Sequence, residues 1–543
     1  MSMPHSSAVP LPFISDATST LLHSLRQHGY STAMVLRVLG STGVSVASAR
    51  SPQAALWYAR RSDAPQLERH IVTAFYLRQA VDQHALEDFL TPGLVADLLR
   101  DGVLVEAAEG TLRCAIDIRP ITFAPHAAQD VLIASDPDAS MEDRIPGADH
   151  VPGVGHASLS LLNVIPPVSP GSSILDLGCG SGVLSLVLAD HSDNVTVIGT
   201  DLSQRAIEFA NANGSVSAAH SNAPKSSRVS WRQGSWFEPV AGKQFDMIVA
   251  NPPFVIGPAV VGHVYRDSGL PLDGATSTVV GGAAEHLMPG GTAHILAGWA
   301  LEDSESAASR VSSWLPSHGV RAWVVQREEV DTATYVTTWL QDEGLDPRHH
   351  DGRQRTQAWM DFFADNGISR IGLGFVHIQR IDDDQPTELT FEVLDHPLPA
   401  GTYLGLEAAE FFARAQWLSE QDSDGILAAK YAVRPTTALE QVGLPRSDEY
   451  SSQGFVEYVT RLSRTDGPAW SHEVDEPVVK ILSGLHPQAL SLEDVIELYC
   501  ASQALDSEDF TSALLPIVVD LVRHGMIIPA ELLDEDNEES HQQ

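Results

Sequence analysis

Ser173-Ile-Leu-Asp176-Leu-Gly178-Cys179-Gly180-Ser181-Gly182 is the stretch on which the fold turns. Its first half, residues 174–177, is a short apolar run of the kind that forms a buried strand, and a helical pattern opens after Gly182. Between them three glycines at alternate positions permit positive φ. They also let a ligand lie against backbone N–H groups at a helix N-terminus.

The same alternation continues outward. β-Rich runs at 174–177, 195–199, 229–232, 247–250, 294–297, 322–325 and 371–378 alternate with helical patterns. That is the signature of a parallel, helix-covered sheet. The expected fold class is therefore α/β, with a Rossmann-like sheet over residues 153–380 and a surface loop at 214–228.

The flanks are patterned differently. In residues 1–125 Ser15 and Asp16 cap a helix carrying Leu21, Leu22 and Leu25, and Thr91-Pro92 opens another. Two apolar stretches around Glu109-Gly110 follow as a hairpin, which gives a helical, winged-helix-like N-terminal domain. Residues 126–152, polar and rich in Pro and Asp, read as a linker. Residues 381–530 read as an acidic, winged-helix-like C-terminal domain in which Ser491 and Asp494 form a capping box, and 531–543 as an acidic, disordered tail.

A chain of 543 residues has room for three or four domains of roughly 150 residues each. It carries 33 basic and 71 acidic side chains, net −38, and residues 381–543 alone hold 8 basic and 32 acidic. Such a field repels phosphate backbones and anionic lipid, so broad electrostatic binding to nucleic acid is disfavoured while a local basic groove stays open. The acidity also serves solubility. Cys114, Cys179 and Cys500 form no C-x-x-C pair, and the 22 histidines form no metal-binding pair, so no metal is expected. No basic segment leads into an apolar core at the N-terminus, and no run of ~18 apolar residues occurs. The expectation is a cytoplasmic protein without a membrane partner.

The chemistry lies in four blocks. The first, Gly178-x-Gly180-x-Gly182, differs from the dinucleotide spacing, and Asp176 precedes it. A pyrophosphate would avoid that carboxylate, whereas the ammonium and sulfonium of S-adenosylmethionine (SAM) would be attracted to it. Taken alone, the block also fits a tight structural turn. The second, Gly199-Thr200-Asp201, places an acid at the end of the next strand, where it can accept from both ribose hydroxyls. Asp201 reads equally as a helix cap before Ser203, and the two roles are compatible. The third, Gly234-Ser235-Trp236-Phe237, offers N–H groups and an aromatic to an adenine, or an aromatic to the core.

The fourth is Asn251-Pro252-Pro253-Phe254 after the strand ending at Ala250. Two prolines stiffen the backbone and leave carbonyls free to accept, Asn251 adds a side-chain acceptor, and Phe254 adds a flat face. Acceptors on both N–H bonds of a planar amide or amine orient it for in-line attack on a methyl, and no strong base is needed before transfer. A rigid turn is the competing reading.

In this order the four blocks resemble class I SAM-dependent methyltransferases of the N-methylating "small domain" group, over about residues 169–297. The HemK-type release-factor glutamine methyltransferases are similar, with an N-P-P-Y motif, as are the ribosomal-RNA guanine-N2 enzymes, with N-P-P-F. The resemblance implies a cofactor site of Asp176, Gly178, Cys179, Gly180, Ser181, Gly182, Asp201, Ser235, Trp236 and Asn251. It implies a catalytic clamp of Asn251, Pro252, Pro253 and Phe254, with residues 265–274 as a lid. Ser235 stands where the family has an Asp, and Phe254 where the HemK type has Tyr. The implied reaction is methyl transfer to a planar nitrogen of a macromolecule. A release-factor-like protein glutamine is favoured by the acidity, and a base amine, guanine N2 or adenine N6, is favoured by Phe254. A non-catalytic SAM-binding regulator is the remaining reading.

Overall fold

The computed structural model describes residues 11–123, 130–138, 147, 149–192, 194–218, 228–253, 255–258, 269–342, 345–394, 402–445 and 455–533. By internal contacts the chain divides into two compact units. One is formed by residues 1–162 with 167–395, the other by 163–166 with 396–543.

The first unit is built on an eight-stranded sheet: β1 (Ser173–Leu177), β2 (Thr196–Asp201), β3 (Arg228–Gln233), β4 (Phe245–Ala250), β5 (Leu287–Glu302), β6 (Val320–Asp331), β7 (Ile368–Arg380) and β8 (Glu388–Val393). The order across it is β8-β6-β7-β5-β4-β1-β2-β3. From β1 the chain steps outward through β2 to β3, then returns to β4 on the other side of β1. The neighbours β1 and β4 therefore mark the topological switch point, and a crevice opens at their C-terminal ends.

All seven strands expected from the sequence are present. The expectation of a parallel sheet needs one correction, because β7 runs antiparallel to both β5 and β6. An apolar run carries no sign of strand direction, so periodicity does not distinguish the two. β8 lies inside the segment read as C-terminal domain, yet it pairs parallel with β6 from Arg321↔Glu388 to Gln326↔Val393. Ile248, Ala250, Ile295, Trp299, Val324 and Val376 join one core cluster of this sheet.

The N-terminal part of this unit is helical, and Ser15 caps its first helix, Asp16–Gln27, with the Ser15 N–H donating in return to Thr18 Oγ1. The expected hairpin forms from Leu104–Ala108 and Thr111–Cys114, with Val81–Asp82 paired on its other side. The linker reading of 126–152 does not hold. Val131–Ser135 is a strand buried at every position and paired with Asp117–Ile121. Polar and proline-rich composition on either side of that short strand masked it.

The second unit contains helices Gly405–Glu420, Ser423–Ala428, Glu476–Gly484, Leu492–Gln503 and Ser507–Arg523, with sheets Thr437–Pro445/Phe455–Arg464/Ser471–Val474 and Tyr431–Val433/Ile527–Pro529. The Ser491/Asp494 capping box is present. Buried Glu407 bridges Arg414 and Arg464, the latter at 2.5 Å. The expected acidic tail falls mostly outside the described residues. Among the described residues no helix is long and apolar enough to cross a membrane, and no group of His, Cys, Asp and Glu is placed to hold a metal.

Candidate cofactor and substrate cavity

At the switch point lies a cavity of about 670 Å³. Its floor is the glycine turn. Gly178, Gly180 and Gly182 have φ of 78°, 53° and 87°, as the glycine spacing requires. The turn is pinned from β2: the Thr200 carbonyl accepts from the N–H groups of Gly178 and Cys179 at 2.8 and 2.9 Å. Asp201 Oδ2 accepts from Gly180 N–H at 2.9 Å, and Oδ1 from Ser203 N–H at 2.8 Å. Asp201 thus caps the next helix and shapes the glycine turn while lining the cavity.

Beneath the turn, Asp176 is fully buried and is not itself part of the cavity wall. Its Oδ2 accepts from Ser185 N–H and Oγ at 3.0 and 2.6 Å, while Oδ1 meets no hydrogen-bond donor in the structure. Burial pushes the Asp176 carboxyl up to about 6, with the Ser185 bonds opposing. Desolvation also raises Asp201 above the ordinary carboxylate range, against the pull of its backbone N–H bonds. Cys179 is buried and its thiol is pushed well up, so it lends backbone rather than a nucleophile.

Ser235 and Trp236 line the cavity, held by Gly234 N–H donating to the Asp201 carbonyl at 3.0 Å. Trp236 takes a left-handed φ of 46°, and Leu202 beside it in the wall is 61% exposed. Phe237 turns away and stacks on His286 at 4.3 Å. Asn251, Pro252 and Pro253 line the other end, with Asn251 Nδ2 3.4 Å from Ser158 Oγ. Phe254 and residues 259–268, which include residues 265–268 of the expected lid, lie outside the described residues.

Sequence reasoning missed the remaining wall. His150, Pro152, Gly155, His156 and Ser158 line the cavity, as do Val255 and Trp339. The wall is fastened from two sides. Ser181 Oγ donates to the Pro152 carbonyl at 3.0 Å, and Asp136 Oδ2 accepts from Val151 N–H at 3.0 Å. Arg205 grips Asp136 with two bonds of 2.6 and 2.9 Å. Asn213, also buried, donates to the carbonyls of Ala134 and Ser181 at 2.9 and 2.8 Å. Pro152, Gly153 and Gly155, at and just past the end of the segment read as a linker, bring backbone up to the cavity.

Trp231 on β3 was likewise unforeseen. A Cβ at Gly182 or Gly199 would come within 2.7 or 2.5 Å of its ring, so these glycines make room for the indole as well as for the turn.

Residues 152–306 match the family model described as methyltransferase small domain, and residues 409–529 match one described as a domain of unknown function (DUF7782). A release factor glutamine methyltransferase of Aliivibrio fischeri is 43% identical over 86 residues, 16% of this chain and 28% of that protein. Ribosomal RNA small subunit methyltransferase C of Enterobacter sp. (strain 638) is 33% identical over 153 residues, 28% of this chain and 39% of that protein. The chain thus spans under half the length of these curated relatives. Among solved structures, a T. thermophilus rRNA methyltransferase in complex with AdoMet and guanosine aligns at TM-score 0.26 and 19% identity, covering 43% of this chain and 58% of that one. The small-domain match bears out the resemblance read from the motifs: residues 152–306 carry a SAM-dependent methyltransferase domain.

Proposed function

We propose that the protein is a SAM-dependent N-methyltransferase that modifies a planar nitrogen of a macromolecule, with a protein glutamine amide as the target. The observation that carries the cofactor reading is the composition of the cavity. It is lined by Asp201 and by Gly178 and Gly180 of the glycine turn, sits above buried Asp176, and has no Lys or Arg in its wall among the described residues. A phosphate-bearing dinucleotide would lack a counter-charge there, whereas a cationic sulfonium ligand of about this size is favoured. SAM, when bound, supplies an electrophilic methyl.

The chain's own groups fit that ligand. Asp201 keeps lone pairs for ribose hydroxyls beyond those engaged by Gly180 and Ser203, and Leu202 and Trp236 offer apolar faces to an adenine. The unmatched Asp176 Oδ1 gives the ammonium end a carboxylate behind the turn. At the far end Asn251 and the backbone after it present acceptors to the two N–H bonds of a target amide. Their task is orientation, which aligns the nitrogen with the methyl and favours its pyramidal geometry as the bond forms.

The net charge of −38 supports a protein target, because phosphate backbones are repelled. The base-amine reading draws support from the relatives that act on ribosomal RNA. Asn251→Ala tests the site: methyl transfer is expected to fall about 10²–10³-fold with SAM affinity little changed. Full transfer by this variant would remove Asn251 from the mechanism. Labelled methyl in a lysate of the source organism, split into nuclease-treated and protease-treated halves, distinguishes the targets. Label that survives nuclease and is lost to protease is the expected result.

A further inference from the structure

The cavity's substrate end has a wall that the matched methyltransferase segment does not supply. Helix Thr332–Asp342 follows β6 as the first of two helices before β7, beyond residue 306 where that segment ends. Asp331 caps its start, accepting from Thr334 N–H and Oγ1 at 2.9 and 2.7 Å. Tyr335, one turn before Trp339, is buried, and its Oη accepts from Ile256 N–H at 2.8 Å. Ile256 follows the Asn251–Pro253 turn by three residues, so this bond ties the helix to the substrate clamp. The following helix, His350–Asp365, closes on the same segment, since a Cβ at Gly257 would stand 3.1 Å from the Trp359 ring. Trp339 meets Tyr335 edge-on at 5.9 Å and packs with Val255 on the same cluster, yet still lines the cavity that Asn251, Pro252 and Pro253 also line.

We propose that Trp339 is a substrate-specificity residue whose indole plane holds the flat face of the target amide at the Asn251–Pro253 clamp. The inference rests on the N-methyltransferase reading above and names how that site holds its acceptor. Hydrogen bonds at the edge of a planar group leave it free to tilt about the line joining its acceptors. A flat aromatic surface removes that freedom and keeps the nitrogen lone pair in line with the methyl. Delivery of that surface from a helix tied to the clamp fixes the two relative to each other.

The experiment compares wild type with Trp339→Phe, which keeps a flat face, and Trp339→Leu, which keeps apolar bulk without one. The full chain is assayed with labelled SAM on two acceptors, purified release factor from the source organism and deproteinised ribosomal RNA. SAM affinity and thermal midpoint are measured alongside. Trp339→Leu is expected to lose about 30–100-fold in kcat/KM on the release factor, the size of a small misplacement of reacting atoms. Trp339→Phe should stay within about 5-fold and SAM affinity within about 2-fold in both. Equal rates for the Phe and Leu variants, or parallel loss of SAM affinity, overturn the proposal and leave the methyltransferase reading standing. Wild-type transfer to RNA alone overturns the amide as occupant. Transfer to neither acceptor, with SAM bound, overturns both readings.

Discussion

The two sides of the cavity are held by different means. The side proposed for the cofactor is local: residues 176–201 shape a turn whose N–H groups are satisfied by Thr200 and Asp201 of the adjacent strand. The outer wall, residues 150–158, is held by partners distant in the chain, through Asp136, Arg205 and Asn213. A short-range site leaves its chemistry in a short string of residues. A wall assembled over long range leaves no string to read, and mutations in the two should fail differently.

The largest effect is expected at Gly182→Ala. A left-handed φ of 87° costs an alanine about 1–2 kcal/mol, and a methyl 2.7 Å from Trp231 adds a packing penalty of about 1–3. Denaturant unfolding should show a loss of about 4 kcal/mol together with lost SAM binding. A stable variant would mean that Trp231 swings aside, and that the cofactor side is softer than its bonding suggests.

Next comes Asp136→Ala, aimed at the wall. Its partner Arg205 is only 13% exposed, so removal of the carboxylate strands a cation and frees Val151 N–H, at a cost of about 3 kcal/mol. SAM affinity should fall too, although Asp136 does not line the cavity. Unchanged affinity would show that the wall is not coupled to the cofactor side.

Asp201→Asn isolates the cofactor side alone. An amide has one acceptor oxygen, and its NH₂ would face one of the N–H groups of Gly180 and Ser203. A loss of about 30-fold in SAM affinity, read by calorimetry, corresponds to about 2 kcal/mol for a charged hydrogen-bond acceptor. An effect on stability without one on affinity would reduce Asp201 to its helix-cap role.

This contrast also explains what was legible. The Gly178–Ser181, Asp201, Trp236 and Asn251–Pro253 positions, which the structure gathers around one cavity, were readable because strand ends and glycine turns are specified within a few residues. The seven strands were readable from apolar runs, but the reversed direction of β7 was not, since an apolar run looks the same both ways. The 131–135 strand and the 150–158 wall were hidden because they are defined by Asp136–Arg205 and Asn213–Ala134, pairs 69 and 79 residues apart. Trp339 carried no signal, since an aromatic at helical spacing is ordinarily core.

The smallest effect, and the most specific, is the pH response set by Asp176. Its carboxyl is pushed up to about 6 by burial, against about 4 in the unfolded chain. Between those values the native state retains a proton that the unfolded state has released. The stabilisation from this group is therefore full below about pH 4 and is lost as pH rises through about 6. SAM binding should run the opposite way, because the ammonium favours the ionised carboxylate that the empty protein resists. Affinity should rise roughly tenfold between pH 5 and 7 in the wild type. In Asp176→Asn it should be flat over that range and lower at pH 7, while unfolding stability loses its decline between pH 4 and 6. If the variant keeps the wild-type pH profile of binding, the proton comes from Asp201, and the buried carboxylate serves only to hold Ser185 at the start of its helix.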